Sequence, residues 1–96
     1  MVENPQRDLL MKLQGAVVKE QGVTFAIVVV KQSSTQTTSS ASDSRDSFQR
    51  YFPRLPLVLA SQDSHGRFTY QGRKDIVAFL ARIDPSRIPW KEYTFS

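Results

Sequence analysis

At 96 residues the chain is long enough for one hydrophobic core and too short for two ordinary domains, so residues 1–96 read as a single domain. Apolar residues make up 40% and charged residues 23%, the usage of a globular chain and not of a disordered one. The chain has no cysteine and one histidine, His65, which excludes disulfides, thiol chemistry and zinc-thiolate sites, while a net charge of +4 raises the question of an anionic partner.

The cations are scattered, and most have an anion beside them in sequence: Arg7 with Asp8, Lys19 with Glu20, Arg45 with Asp46, Lys74 with Asp75, Lys91 with Glu92. Arg50 and Arg54 stand in a stretch without acids and are the natural nucleus of any basic patch. The longest apolar run, Phe25 to Val30, is far below the ~20 residues that span a bilayer, and the N-terminus lacks a signal-peptide layout. The expected location is cytoplasmic, with no membrane partner.

Asn4-Pro5 reads as an N-cap followed by proline at the first helical position. Leu9, Leu10, Leu13, Val17 and Val18 then recur at helical spacing, and Gly22 supplies a stop, which predicts a helix from Pro5 to Gln21. Val23 to Lys31 is rich in β-branched residues without polar alternation, the pattern of a strand buried on both faces. The Ser/Thr/Gln run 32–42 holds no aliphatic residue larger than Ala41 and is expected to be a flexible loop. Asp43 is then read as the cap of a short helix with Phe48, Tyr51 and Phe52 on one face, ended by Pro53.

After Pro56, Leu57-Val58-Leu59-Ala60 predicts a second strand, Gln62 to Gly66 a turn, and the alternation of Phe68 and Tyr70 with Arg67, Thr69 and Gln71 a third strand. Arg73 to Ile83 carries an apolar stripe, Ile76, Val77, Phe79, Leu80 and Ile83, and predicts a helix that stops at Asp84-Pro85. The tail Ile88 to Phe95 is too aromatic to be idle and is expected to pack on the body or add a short strand. The expected order is α-β-α-β-β-α plus an aromatic tail, a two- or three-layer α/β domain with a mixed sheet whose first two strands are parallel.

The succession Pro56, strand and hairpin over Leu57 to Tyr70, Gly72 and the helix Arg73 to Ile83 resembles the C-terminal half of a thioredoxin-like fold. That resemblance implies a thioredoxin-like variant, with a proline before the strand that is often cis in the family. The family's redox motif follows the central strand, where this chain has Lys31-Gln32-Ser33-Ser34-Thr35, so a redox role is rejected. Gly72 to Val77 and Ile88 to Thr94 are also similar to segments of small uncharacterised cyanobacterial proteins, a resemblance that implies no mechanism.

Four features bear on function. His65 with Asp63 has the residue types of acid–base chemistry, but Asp, Ser, His and Gly are also ordinary turn residues. The Ser/Thr run is a phosphorylation segment on one reading, with Arg45 or Arg50 near the modified group, and a solvated linker on the plainer one. Arg67, Phe68, Tyr70, Arg73 and Lys74 mix rings with cations, as in a platform for single-stranded nucleic acid and equally in a strand lying on a core. Trp90, Tyr93 and Phe95 are of the types enriched in binding hot spots and in the sealing of small cores.

With no nucleotide loop, paired carboxylates or nucleophile–base motif, the sequence reads as a non-catalytic protein–protein interaction module without a cofactor, binding a protein partner or a second copy. The alternative is a nucleic-acid-binding domain using Arg50, Arg54, Arg67, Arg73 and Lys74, which requires one continuous basic face.

Overall fold

The computed structural model describes residues 11–20, 22–35 and 37–95. Five strands and two helices run in the order β1 (Met11–Glu20), β2 (Val23–Val30), α1 (Thr38–Gln49), β3 (Leu57–Gln62), β4 (Phe68–Gln71), α2 (Lys74–Leu80) and β5 (Lys91–Phe95). The strands form one mixed sheet in the spatial order β4-β3-β2-β1-β5. Only β2 and β3 are parallel; the other neighbours are antiparallel.

The expected first helix is corrected. Its first part, residues 5–10 with the Asn4 cap, lies outside the described residues, but Met11–Glu20 is a strand. Gly15 and the β-branched pair Val17 and Val18 weaken a helix there, and a strand places Ala16 and Val18 together on a buried sheet face. Gly22 was the helix stop in the sequence reading. Its φ of 80° serves equally well in the turn that brings Val23 opposite Glu20, so the residue marks the end of an element without telling which kind.

Gly15 has a second role. From Gly15 to Glu20 β1 pairs with β2, and from Met11 to Gly15 it pairs with β5, so the strand changes partner at this residue. A Cβ at Gly15 would fall on the Ile27 carbonyl oxygen, closer than real Cβ atoms come to any neighbour. The absence of a side chain is what lets β1 lie against β2 at the exchange point.

β2 is central, as its unbroken apolar run predicts. Phe25, Ile27 and Val29 point to one face and Ala26, Val28 and Val30 to the other. On the first face, Ile76 and Leu80 of α2 close a core with Ala16, Val58, Ala60 and Ile88. On the second, Ala41 and Phe48 of α1, with Tyr51 and Phe52 just after it, cover Leu13, Leu57 and Leu59. The domain therefore has three layers, with one helix on each side of the sheet.

α1 begins five residues before the Asp43 cap expected from sequence, so residues 38–42 are helix where a loop was expected, and a short 3-10 turn, Gln32–Thr35, precedes them. The cap is Thr37: its hydroxyl accepts from the Ser40 amide at 3.0 Å, while the Thr37 amide donates to the Ser40 hydroxyl at 3.2 Å. The anchor is Ala41, buried against the sheet where a small side chain allows close approach. The aromatic tail forms β5, which pairs with β1 from Met11 to Gly15 and covers that half of its outer edge. No helix among the described residues is long and apolar enough to cross a membrane.

Candidate functional site

α2 is seven residues long and lies over a five-stranded sheet, so it cannot cover that face, and a groove is left on each side of it. The groove on the β4 side has Phe68 and Tyr70 on one wall and Val77, Leu80 and Ala81 on the other, with Pro85 at one end. It continues past Tyr70 and Ala81 toward Gly72 and Lys74. Phe68 and Tyr70 share a sheet face because they are two apart in a strand, and Val77 and Ala81 line one flank because they are four apart in a helix.

The wall is rigid. The Tyr70 ring stacks on Phe68 with centroids 6.1 Å apart, and Phe68 stacks on Trp90 at 5.3 Å. The Trp90 indole N–H donates to the Pro85 carbonyl at 2.9 Å, fixing the segment that crosses from α2 to β5. The Tyr70 hydroxyl is buried without a hydrogen-bond partner, and burial pushes the phenol above its ordinary pKa.

β4 is an edge strand, and its backbone polarity can be assigned. The Asp63 amide donates to the Arg67 carbonyl at 2.9 Å, so the backbone of Arg67 faces β3. By strand alternation Thr69 and Gln71 face β3 as well, and the amides and carbonyls of Phe68 and Tyr70 point away from the sheet. Among the described residues, free backbone groups thus run alongside an apolar groove.

The charges around this groove are not equivalent. Arg73 forms a two-pronged ion pair with Asp75, Nε to Oδ1 at 2.7 Å and Nη2 to Oδ2 at 2.8 Å, which holds the Asp75 carboxyl down at about 2 and raises Arg73. Arg67 touches Asp63 through Nε alone at 3.2 Å, and its side chain is 78% exposed. Lys74 is exposed and makes no ion pair among the described residues. Lys74 stands on the groove wall, whereas the Arg67 side chain, alternating with Phe68 along the strand, lies on the opposite sheet face with Asp63, Ser61 and Gln71.

Asp63 has another task. Its Oδ1 accepts the amides of Arg67 at 2.9 Å and His65 at 2.8 Å, and these bonds, that of Arg67 foremost, lower its pKa. The Asp63–His65 pairing read from sequence is therefore the closure of an exposed hairpin turn, with the carboxylate held by backbone amides.

The groove on the other side of α2 runs between that helix and the β1–β2 hairpin. Val18, Phe25, Phe79 and Ile88 line it, with Glu20 and Asp75 at one end and Arg87 at the other. On the opposite sheet face Phe52, Tyr93 and Phe95 pack edge-to-face at 5.4 and 5.8 Å, and Tyr51 lies 4.6 Å from Phe95. Arg50 sits over the Tyr51 ring and Lys91 over Tyr93. Arg54 is exposed nearby in the loop after α1, with a φ of 71°.

The residues singled out in the sequence are thus divided. Tyr70 and Lys74 share the β4 groove, Arg73 is bound to Asp75 at its margin, Trp90 braces its wall, and the Arg67 side chain lies on the other sheet face beside Asp63. Tyr93, Phe95 and Arg50 belong to the α1-side aromatic cluster. Phe68, named in the sequence together with Tyr70, lines the groove as well, and Val77 and Ala81 complete it; these two were not singled out as site residues, although the helical stripe through Val77 was visible. Among the described residues there is no group of three or more His, Cys, Asp or Glu placed to hold a metal. The fold and grooves define an α/β/α domain with one open edge strand beside an apolar channel. No protein-family model, curated protein or solved structure matches the chain.

Proposed function

We propose that the domain is a non-catalytic interaction module that takes an extended segment of a protein partner along the free edge of β4, in the groove between β4 and α2. The observation that carries this reading is the outward-facing backbone of Phe68 and Tyr70 beside the apolar walls of Tyr70, Val77 and Ala81. An added strand satisfies those amides and carbonyls while alternate side chains enter the groove, so affinity comes from the backbone and selectivity from the walls. β5 is the other edge, but the exposed charges of Lys91 and Glu92 are of the kind that discourage strand addition.

The nucleic-acid alternative needs Arg50, Arg54, Arg67, Arg73 and Lys74 on one continuous surface. Arg50 lies with the aromatic cluster on the α1 side, the Arg67 side chain is held against Asp63 at the β3–β4 hairpin, Lys74 lines the β4 groove on the α2 side, and Arg73 is committed to Asp75. That arrangement favours a protein partner.

Selection of displayed random peptides on the full chain tests the proposal. Ala81 is exposed on the groove wall, so Ala81→Trp fills the channel without disturbing the core. Peptides enriched on the wild-type chain and lost on the variant are expected; no enrichment, or equal enrichment on both, would overturn the reading.

A further inference from the structure

We infer that the segment taken up at the β4 edge is β4 of a second copy of this chain, paired antiparallel about a two-fold axis at Thr69; this rests on the β4-edge reading. The outward backbone groups set the register. Within the strand Phe68–Gln71, the amides and carbonyls of Phe68 and Tyr70 turn away from β3, while those of Thr69 and Gln71 face it. With the axis at Thr69, Phe68 of each copy lies opposite Tyr70 of the other. Each such pair exchanges both N–H···O bonds, so every outward group of both strands is used. Moving the axis to Phe68 or Tyr70 would set the remaining ring residue against Gly66 or Gly72, outside the strand.

The side chains complement themselves in that register. On the α2 face each Phe68 ring meets a Tyr70 ring, a favourable cross-strand pair, and the apolar grooves of the two copies join. On the α1 face Thr69 meets Thr69, and Arg67 meets Gln71. The Gln71 amide nitrogen donates to the Thr35 carbonyl at 3.3 Å, so its oxygen remains to accept, and among the described residues Arg67 is engaged through Nε alone, by Asp63. A cation is thus set against an amide oxygen at each end of the pairing. β4 itself carries no charged residue, and the two Arg67 residues stand about 13 Å apart along the ladder, beyond the ~8 Å Debye length at physiological salt. A short strand makes a weak dimer, so the dilute chain still offers its edge to a peptide.

The test joins sedimentation velocity of the full chain across a concentration series to disulfide trapping of Thr69→Cys. The chain has no cysteine and Thr69 is exposed, so the variant introduces a single thiol away from the core. At the axis the Cα atoms of a non-hydrogen-bonded pair lie about 4.5 Å apart, within the ~4.4 to 6.8 Å that a disulfide spans. A dimer that dissociates on dilution is expected, with linking of Thr69→Cys under mild oxidation and none of Arg67→Cys, which the axis holds too far from its mate. Thr69→Lys sets like charges directly opposite and should weaken association about tenfold, and mixing it with Thr69→Glu should restore association. A chain monomeric throughout, equal linking of both cysteine variants, or a dimer unmoved by Thr69→Lys overturns the second-copy assignment. In that event displayed peptides enriched on the wild-type chain and lost on Ala81→Trp leave the β4-edge reading standing, and their absence overturns both.

Discussion

Two residues sit where their own chemistry opposes the fold. Arg54 takes a left-handed backbone at φ 71°, a region that costs a side chain-bearing residue about 1 to 2 kcal/mol, and the Gln49 amide helps hold the loop by donating to the Phe52 and Leu55 carbonyls at 2.8 Å each. Arg54→Gly should therefore raise unfolding stability by about 1 kcal/mol in urea denaturation, and an unchanged or lower midpoint would show that the arginine makes a compensating contact. Tyr70 buries a hydroxyl with no partner, so Tyr70→Phe should be neutral or stabilising by about 1 kcal/mol while keeping the ring that stacks on Phe68. A loss of more than that would mean the hydroxyl is satisfied in solution. Neither feature was legible in sequence, because Pro53-Arg54-Leu55 and Phe68-Thr69-Tyr70 do not encode a dihedral angle or a missing partner.

At the scale of elements, periodicity sufficed where a pattern had only one reading. The unbroken run Phe25 to Val30 became the central strand, and the stripe Ile76, Val77, Phe79, Leu80 became α2. It failed at Met11–Glu20, where Leu13, Val17 and Val18 fit a helical spacing but Gly15 and the hairpin to β2 impose a strand. Pairing with β2 and β5 is a tertiary gain that no window of local sequence contains. Gly15→Ala tests that explanation: its methyl group would meet the Ile27 carbonyl, and a loss of about 2 to 3 kcal/mol or more is expected in chemical denaturation. Tolerance of alanine would mean that β1 does not cross β2 as closely as described. The start of α2 carries a pH dependence. The Asp75 carboxyl is held at about 2 against an ordinary 3.8, chiefly by its hydrogen bonds with Arg73, so its stabilising contribution is present above the unfolded value and lost as pH falls from about 4 toward 2. Asp63 and Asp84, also lowered by hydrogen bonds, act in the same direction. Melting temperature should drop across that window, with a shallower drop in Asp75→Asn; an identical slope in the variant would remove Asp75 from the account.

For the molecule as a whole, length pointed to one domain and the order of elements to an α/β class with a mixed sheet, and the described residues form an α/β domain with a helix on each face of five strands. The groove was only half visible. Tyr70 and Lys74 could be named from their residue types, but the separation of Arg67 from them depends on strand alternation, and among the described residues β4 is an edge because β1 and β5 extend the opposite side. A binding edge is a property of what does not pair with a strand, and a linear pattern does not report it. The exposed backbone of Phe68 and Tyr70 gives the proposal its most direct test: amide proton–nitrogen NMR spectra of the dilute full chain, recorded with and without a peptide enriched on it by display selection. The account predicts the largest shifts and slowed hydrogen exchange at the amides of Phe68 and Tyr70, with smaller shifts at Val77 and Ala81. Shifts confined to the Tyr51, Tyr93 and Phe95 cluster, or unchanged exchange at Phe68 and Tyr70, would contradict it.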